Sequence, residues 1–194
     1  MTLSKPGADS GIYQMKVTLK WSRPPIWRRI LVSGGTTLEA LHWILQIVMG
    51  WGNEHLHQLH VGGIRYTDLT TVEMAPFETE DKDESKVKLS SVARRPKSKL
   101  LYEYDFGDGW MHELLVEKIL PTEPHTHYPA CVAGRGACPP EDCGGIGGYY
   151  DKLEAIRDPR HPEHEDIIDW MGADFDPDKF DLDSINKALK RIRK

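Results

Sequence analysis

Three cysteines, Cys131, Cys138 and Cys143, fall within the stretch 129–150 (PACVAGRGACPPEDCGGIGGYY), separated by six and four intervening residues. Three thiolates and one imidazole would complete a tetrahedral zinc site, with His112, His125 and His127 the nearest imidazoles in sequence. Buried or free thiols fit the same residues, because the spacing is wide and no second cysteine pair follows. Pro139 and Pro140 stiffen the approach to Glu141 and Asp142, adjacent carboxylates suited to metal binding or acid–base work, or to capping a turn. With Gly144, Gly145, Gly147 and Gly148 following, the whole stretch reads as a shaped loop. A phosphate cradle is discounted, since no Lys-Ser/Thr follows and two carboxylates would repel an anion.

A second chemical group surrounds Gly107-Asp108-Gly109. Asp105 and Asp108, with His112 close by and with His55 and His57, could form a mixed carboxylate–imidazole metal site. Turn chemistry alone explains Asp108 between two glycines. Asp105 sits between Tyr104 and Phe106, so it points to solvent or meets a buried partner such as Arg28 or Arg29. Those arginines, in Trp27-Arg28-Arg29, form the one basic cluster interleaved with an aromatic, but on a strand they point to opposite faces.

These groups must be positioned by elements legible in the hydropathy pattern. Residues 12–21 alternate as a half-buried strand, 26–32 resume with β-formers after Pro24-Pro25, and the region 55–66 places His55, His57, Leu59 and Val61 on one face before Gly62-Gly63 turns into 64–66. Residues 100–106 and 110–120 flank the Gly-Asp-Gly turn as a hairpin, and a turn with Gly109 left-handed aligns Tyr102, Tyr104 and Phe106 with Trp110, His112, Leu114 and Val116. A helix over 37–49 starts with capping-box spacing, Thr36 to Glu39, and stops at Gly50. Three helical stretches, 149–157, 163–171 and 182–193, close the chain. Residues 1–11 read as a flexible leader and 67–98 as a polar surface loop with a short helical turn. Trp21, Trp43, Trp51 and Trp110 are expected in the core.

The 194 residues suffice for one domain with a real hydrophobic core. No apolar run is long enough for a bilayer and no apolar signal core opens the chain, so the expected address is cytoplasmic, without a membrane partner. An odd number of cysteines agrees with a reducing compartment. Net charge is −5, and residues 99–194 carry twelve Lys/Arg against twenty Asp/Glu, so a nucleic-acid partner would require a local basic patch.

The motifs Pro25-Ile26-Trp27-Arg28-Arg29, Gly50-Trp51 with His55-Leu56-His57, Tyr104-Asp105-Phe106-Gly107-Asp108-Gly109-Trp110, Cys138-Pro139-Pro140-Glu141-Asp142-Cys143-Gly144-Gly145 and Phe175-Asp176-Pro177 resemble, in this order, the plasmid pRiA4b ORF-3-like family. Some of its members are labelled TnpR-like passengers of transposable elements. The resemblance implies a compact α+β domain and an association with mobile elements, but no reaction, and nothing in the chain resembles a serine recombinase.

The expected architecture is therefore one α+β domain over 12–190, a mainly antiparallel sheet with one long helix after its second strand and a C-terminal helical cluster. Stretch 129–150 should fold against the 104–112 hairpin, making an acidic pocket with His55, His57, Asp108 and Trp110 in its wall. The expected function is a binding or accessory module for a protein or small ligand. The alternatives are a metal-dependent hydrolase or nuclease, with Asp105, His112, Glu141 and Asp142 as catalytic candidates, and a DNA-binding accessory protein using Arg28 and Arg29.

Overall fold

The structure, a computed structural model, describes residues 11–70 and 81–192. Alternating apolar positions form an eight-stranded sheet: β1 (Ile12–Leu19), β2 (Trp27–Ser33), β3 (His57–Val61), β4 (Ile64–Thr67), β5 (Lys82–Asp83), β6 (Lys99–Tyr104), β7 (Trp110–Leu120) and β8 (Ala130–Arg135), in the order β5-β4-β3-β6-β7-β1-β2-β8. Every pairing is antiparallel except β4 with β5. The helices are α1 (Leu38–Met49), α2 (Leu89–Val92), α3 (Gly145–Arg157), α4 (His164–Met171) and α5 (Leu182–Leu189). This is a mixed α+β domain, as the patterning implied.

The sheet buries one face. Met15, Val17, Ile30, Leu59, Leu114 and Val116 are wholly enclosed. Each such side chain contributes about 1.5–3 kcal/mol of hydrophobic stabilisation. The cover is α1, whose Leu38, Leu41, Leu45, Val48 and Met49 recur at helical spacing and are buried. Its N-cap is Thr37, which accepts a bond from the Ala40 N–H; the expected capping box from Thr36 is therefore displaced by one residue. Gly50, at φ 105°, ends the helix in the left-handed region that a side chain would disfavour. Behind α1, α5 packs on both β8 and α1, while α4 rests on α3.

Several expectations change. The region 55–66 turns at Gly62-Gly63 as read, pairing β3 with β4, but His55 precedes β3. Stretch 129–150 is not loop throughout: 130–135 pairs with β2 as an edge strand, and α3 begins at Gly145 rather than Tyr149. The 67–98 stretch is partly built, since Lys82–Asp83 extends the sheet, a one-turn 3-10 helix spans Glu84–Lys86, and Leu89 is wholly buried. Residues 71–80, and all of the leader except Gly11, lie outside the described residues. Trp51 and Trp110 are buried, but Trp21 and Trp43 are exposed: Trp21 sits beyond the end of β1 with φ 64°, and Trp43 is on the outer side of α1. No helix among the described residues is long and apolar enough to cross a membrane.

Candidate functional site

The β6–β7 hairpin ends with Tyr104 opposite Trp110, so the connection is Asp105–Gly109, longer than the three-residue turn expected, and Phe106 leaves the strand for solvent. The same face is aligned as read, but the longer connection shifts the pairing by two residues, setting Tyr102 opposite His112 and Leu100 opposite Leu114. Asp105 winds this turn. At φ 56° its N–H donates to the Leu56 carbonyl at 2.9 Å, its own carbonyl accepts from Gly109 at 2.6 Å, and its Oδ1 accepts from the Gly107 N–H at 2.9 Å. With Oδ1 engaged, Oδ2 remains facing His55, at 3.7 Å from its Nε2. Asp105 is buried, and its neighbour is this imidazole rather than Arg28 or Arg29.

The Pro-Pro-Glu-Asp segment meets that turn from the other side. Asp108 accepts a bond from the Gly144 N–H at 3.1 Å, and a Cβ on Gly145 would stand 2.4 Å from the Asp108 carbonyl oxygen, so only glycine permits the approach. The Pro139 carbonyl accepts from the Trp51 indole N–H at 3.1 Å. Glu141 accepts from the Gly52 N–H at 2.8 Å and from the Tyr104 hydroxyl at 3.0 Å. Burial, and next the bond to Glu141, push the Tyr104 phenol upward, so it stays a neutral donor.

His55 lies where these segments join. Its Nε2 is 3.3 Å from Asp142 Oδ1, 3.6 Å from Glu141 Oε2 and 3.7 Å from Asp105 Oδ2. None of these contacts is aligned as a hydrogen bond, and the nitrogen is buried without a partner. Donor atoms of His55, Asp105 and Asp142 all lie within 4.8 Å of one another, and this is the one such group of three potential metal ligands among the described residues. Ligands of a tetrahedral ion with bonds of 2.0–2.2 Å stand about 3.4 Å apart, so small side-chain rotations would close the set on one ion. A cleft of about 390 Å³ opens beside it, walled by Asn53, Glu54, Leu56 and Thr67 and, as expected, by His55 and His57.

His57, two residues on, belongs to a different network. Its Nε2 bonds both Glu84 oxygens, at 2.9 and 3.1 Å, and its ring stacks on His42 with centroids 3.4 Å apart and planes 6° from parallel. His42 reaches the Tyr102 hydroxyl and Asn53 Oδ1, each at 2.9 Å, and Gln46 donates to the same hydroxyl. Asn53 Oδ1 can only accept, so His42 Nε2 carries the proton and Nδ1 accepts from Tyr102. Burial, reinforced by the neighbouring His57, lowers the His42 pKa to about 3 and holds the ring neutral.

Other expected site residues lie elsewhere. His112 and Trp110 are core residues behind the cleft, not part of its wall: His112 is wholly buried with its edge near Trp51, and burial lowers its pKa to about 4. Asp108 serves the docking of stretch 129–150. The cysteines do not assemble as a ligand set. Cys131 lies on β8 with its thiol toward the Ala133 carbonyl, Cys138 packs beside Gly50, and the Cys143 thiol faces the Gly145 carbonyl. Burial raises the pKa of all three thiols, that of Cys143 to about 12, so they are held as thiols. His125 and His127 line a separate groove with Thr37 and Ile44.

Arg28 and Arg29 do not share one surface. Arg28 is buried and donates to the carbonyls of Val48, Trp27 and Arg135, with its guanidinium over Phe180. Arg29 makes a two-bond pair with Glu117 on the other face of the sheet. His42, Gln46 and Glu84 escaped the sequence reading. Two of them are polar residues on the apolar stripe of α1, a visible sign of a buried network, whereas nothing local distinguishes Glu84 from its acidic neighbours.

Comparison with known proteins agrees with the motifs. The chain is 34% identical over 182 residues to the uncharacterized protein y4hQ of Sinorhizobium fredii, covering 93% of this chain and 91% of that one. It is similar to the crystal structure of a protein of unknown function, MM3350, from Methanosarcina mazei, with a TM-score of 0.78 and 37% identity, over 89% of this chain and 96% of that one. The plasmid pRiA4b ORF-3-like family matches residues 11–184, and the chain belongs to that family.

Proposed function

We propose that this protein is a binding module that takes a divalent cation at His55, Asp105, Glu141 and Asp142 and presents it to a small ligand. One observation carries the reading: a buried, unpartnered imidazole nitrogen faces three carboxylate oxygens supplied by two separate loops. Carboxylates gathered this closely repel one another, and a bound cation removes that repulsion while giving the nitrogen a partner. An imidazole with carboxylates suits zinc or manganese better than magnesium, which favours oxygen and keeps its waters. Zinc therefore fits here better than at Cys131, Cys138 and Cys143. The adjoining cleft is of a size used by small-molecule sites.

The test is calorimetric titration of zinc and manganese into protein purified without chelator or affinity tag. One ion per chain is expected, with His55→Ala and Asp105→Asn each weakening uptake about tenfold or more. No uptake, or uptake unchanged in both variants, overturns the proposal. A second reading, metal-dependent hydrolysis, is favoured by the 68% exposure of the Asp142 side chain, which would leave one side of the ion open to substrate. Turnover of a phosphodiester by the loaded protein, abolished by Asp105→Asn, would establish it in place of simple binding.

A further inference from the structure

We propose that the cleft between the β1–β2 connection, the end of β8 and the C-terminal half of α3 is a second binding site, taking a small ligand with an oxyanion head, a phosphate monoester or a carboxylate, on an apolar body. The cleft has a volume of about 310 Å³ and is lined by three arginines: Arg23 from the β1–β2 connection, Arg135 from β8 and Arg157 from α3. All three are exposed, and none of their guanidinium groups makes a hydrogen bond or ion pair among the described residues. One carboxylate, Asp178, also lines the cleft and pairs with none of them, leaving three cationic groups against one anionic group.

That balance runs against its surroundings. Residues 99–194 hold twenty carboxylates, so partners for Arg135 and Arg157 were plentiful, and Arg29 and Arg65 elsewhere do have two-bond carboxylate partners. A cation in the last turn of α3 complements the negative end of that helix and accounts for Arg157 alone. Arg23 and Arg135 arrive from other segments. The Arg23 main chain is held to α3, since the Tyr150 hydroxyl accepts from its N–H and donates to its carbonyl at 3.1 Å, so its position is fixed by the fold. Guanidinium forks recognise planar or tetrahedral oxyanions by paired N–H donors, and three of them border this cleft. Beneath them Ile26, Tyr149 and Leu153, all buried, give the cleft an apolar lining that inorganic phosphate alone would leave unused.

This site is independent of the cation seat, and calorimetry separates the two. With phenyl phosphate, benzoate and inorganic phosphate as probes, one aromatic anion is expected to bind per chain more tightly than inorganic phosphate. Whichever of phenyl phosphate and benzoate binds tighter identifies the head group. Arg135→Ala and Arg157→Ala should each weaken it about tenfold or more, as loss of a charge-assisted bond requires. Both side chains are exposed, so circular dichroism of the variants should match the parent. Arg94→Ala, on a distant surface turn, and His55→Ala should bind as the parent does. Absence of binding by both aromatic anions overturns the proposal, as does equal weakening by Arg94→Ala, which would mean general surface attraction, or loss of binding in His55→Ala.

Discussion

His55 and His57 are two residues apart, and each approaches carboxylates, yet their surroundings differ in kind. His57 is satisfied, although it too borders the cleft: it bonds Glu84, stacks on His42, and joins a network where Tyr102, Gln46 and Asn53 satisfy one another. His55 stands at a seam between two loops, with an unsatisfied nitrogen and three carboxylates too distant or misaligned to bond it. The first arrangement stabilises the fold, because every buried polar group has a partner. The second leaves interaction capacity for something from outside. Neither sign suffices alone, since the core residues His112 and Trp110 also bury unpartnered nitrogens; what marks His55 is an unpartnered nitrogen that faces several carboxylates.

The contrast can be broken most forcefully at Glu84. Glu84→Ala removes the buried carboxylate that anchors the His57 imidazole and is expected to destabilise the protein by about 3 kcal/mol in urea unfolding, without altering the metal stoichiometry of the folded fraction. A small loss would mean that the enclosed network is not what holds the 81–92 segment to the sheet. Acid should act on the enclosed side next. His42 protonates near the ordinary pKa of 6.5 in the unfolded chain but only at about 3 when folded, and His112 at about 4. Between these values the unfolded chain binds the extra protons, so stability must fall as pH falls below about 6.5. The slope approaches about 1.4 kcal/mol per pH unit for each histidine. His42→Gln should remove one share of that slope, measured by urea midpoints between about pH 7 and pH 5.

On the other side of the comparison the effects on stability are small. Without added metal, His55→Ala is expected to cost less than about 1 kcal/mol, since no hydrogen bond is lost. With saturating zinc, the parent should gain stability that the variant does not, as mass action requires of a ligand that binds only the folded state. Thermal melts with and without the ion check both statements. Asp142→Asn should change metal-free stability by no more than about 0.5 kcal/mol, because its side chain is largely exposed. A large loss there would mark the seam as structural after all.

Much of the fold was legible in local pattern. Period-two alternation in β1, β2, β6 and β7, and the apolar stripe with a glycine stop in α1, are short-range consequences of side-chain geometry. The edge strand Ala130–Arg135 was hidden, because its register and burial come from β2 and from Asn186 on α5, which bonds the Cys131 backbone on both sides. Among site residues, Asp105, Glu141, Asp142 and His55 could be proposed from type and motif. That their two loops meet was expected from the sequence, but which oxygens face the imidazole was a matter of distance in space.

What the amino-acid order determined by itself was the set of elements and the two loops able to carry chemistry, since those depend on periodicity and on glycine and proline conformations. What only the tertiary structure decided was which polar groups found partners. It enclosed His112, Cys131, Cys143 and Arg28, gave His57 to Glu84, and left His55 among carboxylates, because hydrogen-bond satisfaction depends on neighbours from distant segments that no local pattern can name.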